Sequence, residues 1–135
     1  MLGWYDKGMK TILVDAVNTF VLEGGKINQE MHDLLETYPN PKLIVTNAND
    51  EQIVEFGLTN LPYELFTMRH QPNKTDPVYF ETLFKEKGLS ADQVVYFEHN
   101  PKAVESARSI GVGAYHYDHV VKDIEALREF LDGNV

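Results

Sequence analysis

Residues 11–20, TILVDAVNTF, constrain the fold most: the apolar run Ile12, Leu13 and Val14 ends abruptly on a carboxylate, Asp15. A short continuous run of this kind reads as a strand buried on both faces, as in the interior of a parallel sheet. Asn18 and Thr19 then form a polar corner, Phe20 to Leu22 form a second apolar group, and Gly24-Gly25 signals a turn before Lys26. The chain therefore leaves the sheet, makes a small loop and returns. Ligands of open parallel sheets bind just beyond the carboxyl ends of the strands, so an acid at the end of a first, central strand stands where chemistry is usually done. Asp is also a common turn former, and alone it carries little.

Further along, the same beat repeats. Asn28 is placed to cap a helix over residues 28–38, with Met31, Leu34 and Leu35 at helical spacing and Pro39 and Pro41 beyond it. Leu43, Ile44, Val45 and Thr46 form a second buried strand ending on a hydroxyl. Asn49 and Asp50 start a helix with Ile53, Val54 and Phe56 on its apolar side and Gly57 as its stop. A weaker strand over residues 64–67 leads through a polar loop to Lys74. Thr75 or Asp76 caps a long helix reaching Lys87, with Val78, Tyr79, Leu83 and Phe84 inward. Residues 94–97 make a strand that ends on Glu98, and Pro101 suits the first position of the next helix, which closes at Gly111. Gly113, Ala114 and Tyr115 make a short fifth strand, and residues 120–131 a last helix. Strands alternating with helices through short links predict an α/β fold: three layers, a central and mainly parallel five-stranded sheet, helices on both faces.

A chain of 135 residues suits one domain, here residues 1–135, with 1–8 as an N-terminal extension packed through Trp4 and Tyr5. Its 21 acids against 12 Lys plus Arg give a net charge of −9, which repels phosphate backbones and anionic lipid, so neither nucleic acid nor membrane is an expected partner. There is no Cys, hence no disulfide framework or thiolate metal site. The apolar runs are far shorter than the roughly 20 residues of a membrane helix, and the expected location is the cytoplasm.

Asp15, Thr46, Lys74 and Glu98 each sit at, or one loop beyond, the carboxyl end of a predicted strand, so the fold gathers them at one rim. A carboxylate nucleophile, a hydroxyl donor, a fixed cation and a second acid able to share a divalent ion are the parts needed to attack a phosphoryl group and neutralise its spreading charge. His116, Asp118 and His119 hint at a metal, but their position at an edge-strand end reads better as a solvated turn. Tyr79, Phe80, Phe84 and the Tyr96-Phe97 pair read as core.

In combination these segments resemble the haloacid dehalogenase-like (HAD) hydrolase superfamily: residues 15–19 as its first motif, Thr46 in LIVTN as the second, Lys74 in NKTDPVYF as the third, and Glu98 in VVYFEHNPKAVESARSIG as the fourth. The resemblance implies a Rossmann-like sheet, with Asp15, Thr46 and Lys74 as catalytic residues and an aspartyl intermediate on Asp15. It further implies Mg2+ held weakly by Asp15, the backbone carbonyl of Val17 and Glu98, with Asn18, Thr19, Asn47, His99 and Asn100 around a small phosphorylated substrate.

The departures matter as much. In phosphatases of the superfamily the position two after the nucleophile is a second Asp, the general acid and base; here it is Val17, which moves no proton. Loss of such a group removes about 10²- to 10⁴-fold of rate. Glu98 is followed by His99 where two acids are common, leaving one hard ligand fewer, and His99 becomes a candidate proton carrier. The intervals between Asp15, Thr46 and Lys74 leave no room for a cap domain, so only a flap over residues 17–27 shields the rim. Specificity then comes from a bulky substrate or a neighbouring subunit of a homo-oligomer. Three readings stay open: a weak Mg2+-assisted phosphohydrolase, a catalytically degenerate binding or regulatory domain, and a 2-haloacid dehalogenase.

Overall fold

A computed structural model describes residues 9–135. The reading of residues 1–8 as an extension packed through Trp4 and Tyr5 lies outside the described residues. In chain order the elements are strand β1 (Thr11–Asp15), the two short strands β2 (Val21–Leu22) and β3 (Lys26–Ile27), helix α1 (Gln29–Leu35), β4 (Lys42–Thr46), α2 (Asp50–Glu55), β5 (Glu64–Thr67), α3 (Val78–Lys87), β6 (Val94–Glu98), α4 (Pro101–Arg108), β7 (Gly113–His116) and α5 (Ile124–Asn134).

Five strands form one sheet in the order β5-β4-β1-β6-β7, every neighbouring pair parallel. The chain steps outward from β1 through β4 to β5, then returns to the other side of β1 for β6 and β7. Strand order thus reverses around β1, and the crevice beyond the carboxyl ends of β4, β1 and β6 is where an open α/β sheet binds ligands. Registers of Asp15 with Val45 and of Val14 with Phe97 bring Asp15, Thr46 and Glu98 to the same rim.

Side-chain alternation along β1 feeds two cores. Ile12 and Val14 join Phe20, Met31, Leu34, Leu35, Leu127 and Leu131 on one face; Leu13 joins Tyr79, Phe80, Leu83, Val104 and Ala107 on the other. Helices α1 and α5 therefore cover one face of the sheet and α3 and α4 the opposite one. Among the described residues no helix is long and apolar enough to cross a membrane.

Element boundaries differ from the sequence expectation where apolar residues misled. The last helix begins at Ile124 behind its cap Asp123, whose side chain accepts from Ala126 N, and the Val120-Val121 pair before it is 75% and 67% exposed in a turn. Helix α3 starts at Val78, which points outward, while Phe80 takes the inner place; Asp76 and Thr75 precede the helix, with Pro77 at its cap. Val54 is likewise exposed, and α2 packs through the half-buried Ile53 and Phe56. Asn49 and Gln52 close α2 with a reciprocal capping box, an arrangement worth about 1 kcal/mol.

The β2–β3 hairpin turns on Gly24 and Gly25, both at positive φ, and is pinned from two directions. Asn28 accepts from Met31 N to cap α1 while its amide donates to Thr19 O. Gly25 packs on Gly57, where a Cβ on Gly57 would come within 2.8 Å of the Gly25 Cα. Gly57→Ala should therefore cost more than Gly24→Ala, which is also at positive φ but faces open space. The conformational part is about 1 kcal/mol for either, and chemical denaturation of the two variants should show the excess at Gly57; equal losses would mean that the contact with the hairpin is not tight.

Candidate functional site

The carboxyl ends of β1, β4 and β6 and the loop entering α3 deliver Asp15, Thr46, Glu98 and Lys74, only 2%, 4%, 1% and 5% exposed. Lys74 is the hub. Its ammonium donates to Asp15 Oδ1 at 2.7 Å, to Glu98 Oε1 at 2.7 Å and to Val45 O at 3.4 Å, using all three of its protons. Its backbone N–H donates to Asn47 Oδ1 at 2.7 Å, which ties the α3 loop to the loop after β4.

The second oxygen of Asp15 is as fully engaged. Asp15 Oδ2 lies 2.6 Å from the donating Thr19 hydroxyl, 2.5 Å from His99 Nδ1 and 3.3 Å from His99 N. Glu98 Oε1 also accepts from the buried Tyr96 hydroxyl, and Oε2 accepts from Asn100 N at 3.1 Å. Tyr79 accepts from Thr46 N at 3.1 Å and donates to Thr46 O at 2.8 Å, holding the end of β4; the Thr46 hydroxyl accepts from Ala48 N at 3.3 Å.

Burial and charge sort the protonation states. Burial alone would raise the Asp15 pKa, but the Lys74 ammonium and the His99 hydrogen bond outweigh it and hold the carboxyl well below its ordinary range, ionised. Burial likewise opposes the Lys74 charge, yet Asp15 and Glu98 together push its pKa up. Glu98 is pushed up to about 7, by burial first and by the Asp15 charge second. The Asp15 hydrogen bond raises His99 against the opposing effect of burial.

These groups line a cavity of about 150 Å³ together with Val17, Asn47, Ala48, Gln52, Phe56, His70 and Asn100. A larger cavity, about 380 Å³, opens at the other ends of the strands around Thr11, Lys42, Glu64 and Lys87. It gathers no comparable set of convergent acids and bases among the described residues, and chemistry, not size, decides between the two.

Of the residues expected around a substrate, Asn47, His99 and Asn100 line this cavity, although Asn100 spends its side-chain oxygen capping α4 through Lys102 N. Thr19 does not line it: the side chain is wholly buried and its hydroxyl is given to Asp15, so it orients the carboxylate instead of meeting a ligand. Asn18, at φ 69°, takes the left-handed turn that Asn tolerates and lines an adjacent cavity under the hairpin. Sequence reading missed Gln52, Phe56 and His70, and placed Tyr79 and Tyr96 in the core without their polar task. For Tyr96 a signal existed, since it lies two residues before Glu98 on the same side of one strand. His116, exposed at the end of β7, and His119, in the turn after it, lie where the sequence placed them, but both touch His99: His116 Nε2 is 2.9 Å from His99 O, and the His119 ring meets the His99 ring edge-on at 4.8 Å.

Asp15, Glu98 and His99 each offer one ligand atom, all within 4.8 Å of one another, and they are the group among the described residues that could hold a metal ion. The two carboxylates suit a hard divalent ion, so the donor set fits one, in competition with the protons of Lys74 and His99 that now satisfy those oxygens.

Comparison with solved structures gives the fold a context. A HAD family enzyme from Bacteroides thetaiotaomicron, a mutant in complex with magnesium and inorganic phosphate, superimposes with a TM-score of 0.64 at 9% identity over 81% of this chain and 94% of its own. The core domain of a proposed phosphoglycolate phosphatase from Streptococcus pneumoniae TIGR4 gives 0.56 at 18% over 90% and 96%. A haloacid dehalogenase-like protein of unknown function from Agrobacterium tumefaciens gives 0.54 at 18% over 78%, and this chain spans 61% of its length. The fold is HAD-like. No protein-family model matches the sequence, and no curated protein matches it.

The raised pKa of Glu98 has a measurable consequence. A carboxyl that titrates near 7 in the folded protein and near 4.5 when unfolded binds more protons in the native state across that interval, so stability falls as pH rises through it. His99, also raised, adds to the fall as pH passes its folded pKa, whereas Asp15 works the other way only at acid pH. In chelator-treated protein the thermal midpoint should decline from about pH 5 to about pH 8, and Glu98→Gln should decline less steeply. Equal slopes would contradict the assignment.

Proposed function

We propose that this protein is a HAD-like phosphohydrolase that works through an aspartyl phosphate on Asp15 and favours leaving groups that need no proton. One observation carries the reading: Asp15 lines a small cavity, is held ionised, and has the Lys74 ammonium 2.7 Å from one of its oxygens.

In the first step a carboxylate oxygen of Asp15 bonds to phosphorus as the bond from phosphorus to the leaving oxygen breaks, and the leaving group takes that electron pair. Lys74 balances charge gathering on the phosphoryl oxygens, and Thr46, held at both backbone polar groups by Tyr79, offers a hydroxyl at the cavity wall. Thr19 and the His99 N–H fix the rotation of the Asp15 carboxylate. Val17 lines the cavity where a second acid would otherwise act, so the leaving oxygen departs unprotonated. Aryl and acyl phosphates tolerate this; alkyl phosphates do not. Water then cleaves the aspartyl phosphate to phosphate and the free carboxylate. A divalent ion, Mg2+ by the resemblance, would be held by Asp15, Glu98 and the Val17 carbonyl, and when bound it supplies further neutralisation of phosphoryl charge.

The chain is read as one domain without a cap, its rim shielded only by the hairpin within residues 17–27. A cavity of about 150 Å³ admits a phosphoryl group and leaves the rest of the substrate outside, under Phe56, Gln52 and His70.

A specific observation favours a second reading. All four carboxylate oxygens of Asp15 and Glu98 are satisfied within the protein, a network that closes without any ligand and suits a binding domain that has lost turnover. One pair of variants separates the two. With p-nitrophenyl phosphate or acetyl phosphate, the parent should turn over slowly and Asp15→Asn should abolish it, while Val17→Asp should raise the rate on phosphate monoesters by about 10²-fold or more. Undiminished hydrolysis by Asp15→Asn would end the aspartyl mechanism. An inactive parent that gains activity only with Val17→Asp would support the binding reading.

A further inference from the structure

The imidazole of His99 is aimed between the two carboxylates that a metal would use. Its Nδ1 is 2.5 Å from Asp15 Oδ2 and 3.4 Å from Glu98 Oε2. The loop that carries the ring is also braced. The His99 N–H donates to Asp15, its carbonyl oxygen lies 2.9 Å from His116 Nε2, the next N–H, of Asn100, donates to Glu98, and the His119 ring stands edge-on against it. An ion entering between Asp15 and Glu98 therefore meets an imidazole nitrogen as its third side-chain ligand, beside the oxygens of the two carboxylates.

That ligand changes which ion the site prefers. Mg2+ takes oxygen ligands at near-ideal octahedral geometry and gains little from imidazole. Cobalt, nickel and zinc take imidazole nitrogen readily and manganese accepts it, with affinity rising from manganese through cobalt and nickel to copper. We propose that the metal site of this protein is a mixed Asp15–Glu98–His99 centre, selective for a borderline transition-metal dication over Mg2+. The proposal rests on the metal-assisted reading of the site but is tested by binding alone, without turnover.

Two measurements test it. In wild-type protein loaded with Mn2+, electron spin-echo spectroscopy should show modulation from one imidazole 14N; bound Mn2+ without nitrogen coupling would overturn the proposal, and this measurement needs no variant. In calorimetric titrations with CoCl2 and MgCl2, the ratio of Co2+ to Mg2+ affinity should fall about tenfold or more from wild type to His99→Asp. An unchanged ratio in a folded variant would overturn it. Failure of wild-type protein to bind any of these ions would overturn the metal centre while leaving the Asp15→Asn test of hydrolysis to stand separately; nitrogen-coupled Mn2+ in a protein without turnover would uphold the centre and refute only the hydrolase reading.

Discussion

Everything at the rim depends on one buried cation. The Lys74 ammonium sits between Asp15 and Glu98, and all three residues are buried. Removing such charges from water costs several kcal/mol per ion, and mutual attraction offsets this only when geometry is good and the remaining donors and acceptors are filled. Here they are filled. Lys74 spends its third proton on Val45, Asp15 takes Thr19 and His99, and Glu98 takes Tyr96 and Asn100. Removing Lys74 would leave Asp15 and Glu98 buried without their cation, so β1, β6 and the loop into α3 are held to one another by electrostatics as well as by packing.

The same network sets reactivity. Two acids share one cation, and their environments push them apart: Asp15 stays ionised, while Glu98 titrates at about 7. Pairs of carboxyls separated in this way are a mark of sites with assigned chemical tasks, though structural ion networks produce it too. What distinguishes this one is access. Asp15, Lys74, Glu98 and His99 all line one cavity, and the Gly25–Gly57 contact holds the hairpin beside it.

Much of this was legible in the sequence because a parallel sheet leaves little freedom. Once Ile12–Val14, Leu43–Val45 and Val94–Phe97 are read as adjacent buried strands, the residues that end them must meet, and Lys74 needs only one short loop to reach them. Contacts made by loop conformation were not legible. Nothing in the order Glu98, His99, Asn100 says that the imidazole turns back to Asp15, or that Thr19 folds under the carboxylate instead of facing a ligand. Isolated apolar residues misled for a related reason: Val54 and Val78 fit a helical stripe by spacing, but helices starting behind Asn49 and Pro77 turn them outward, and the cap at Asp123 leaves Val120 and Val121 in a turn before the last helix. The tyrosines were legible as core and not as hydrogen-bond partners, since burial follows from pattern while the partner of a hydroxyl does not.

The central claim, that Asp15 is a nucleophile served by Lys74, is tested most directly by crystallographic analysis of the protein soaked with beryllium trifluoride and a divalent ion. Beryllium trifluoride mimics a phosphoryl group bound to a carboxylate. The account predicts beryllium bonded to an Asp15 oxygen, with the Lys74 ammonium and the Thr46 hydroxyl within hydrogen-bonding distance of its fluorides. An Asp15 carboxylate still paired to Lys74 and His99, with the fluoride complex absent or seated elsewhere, would contradict it.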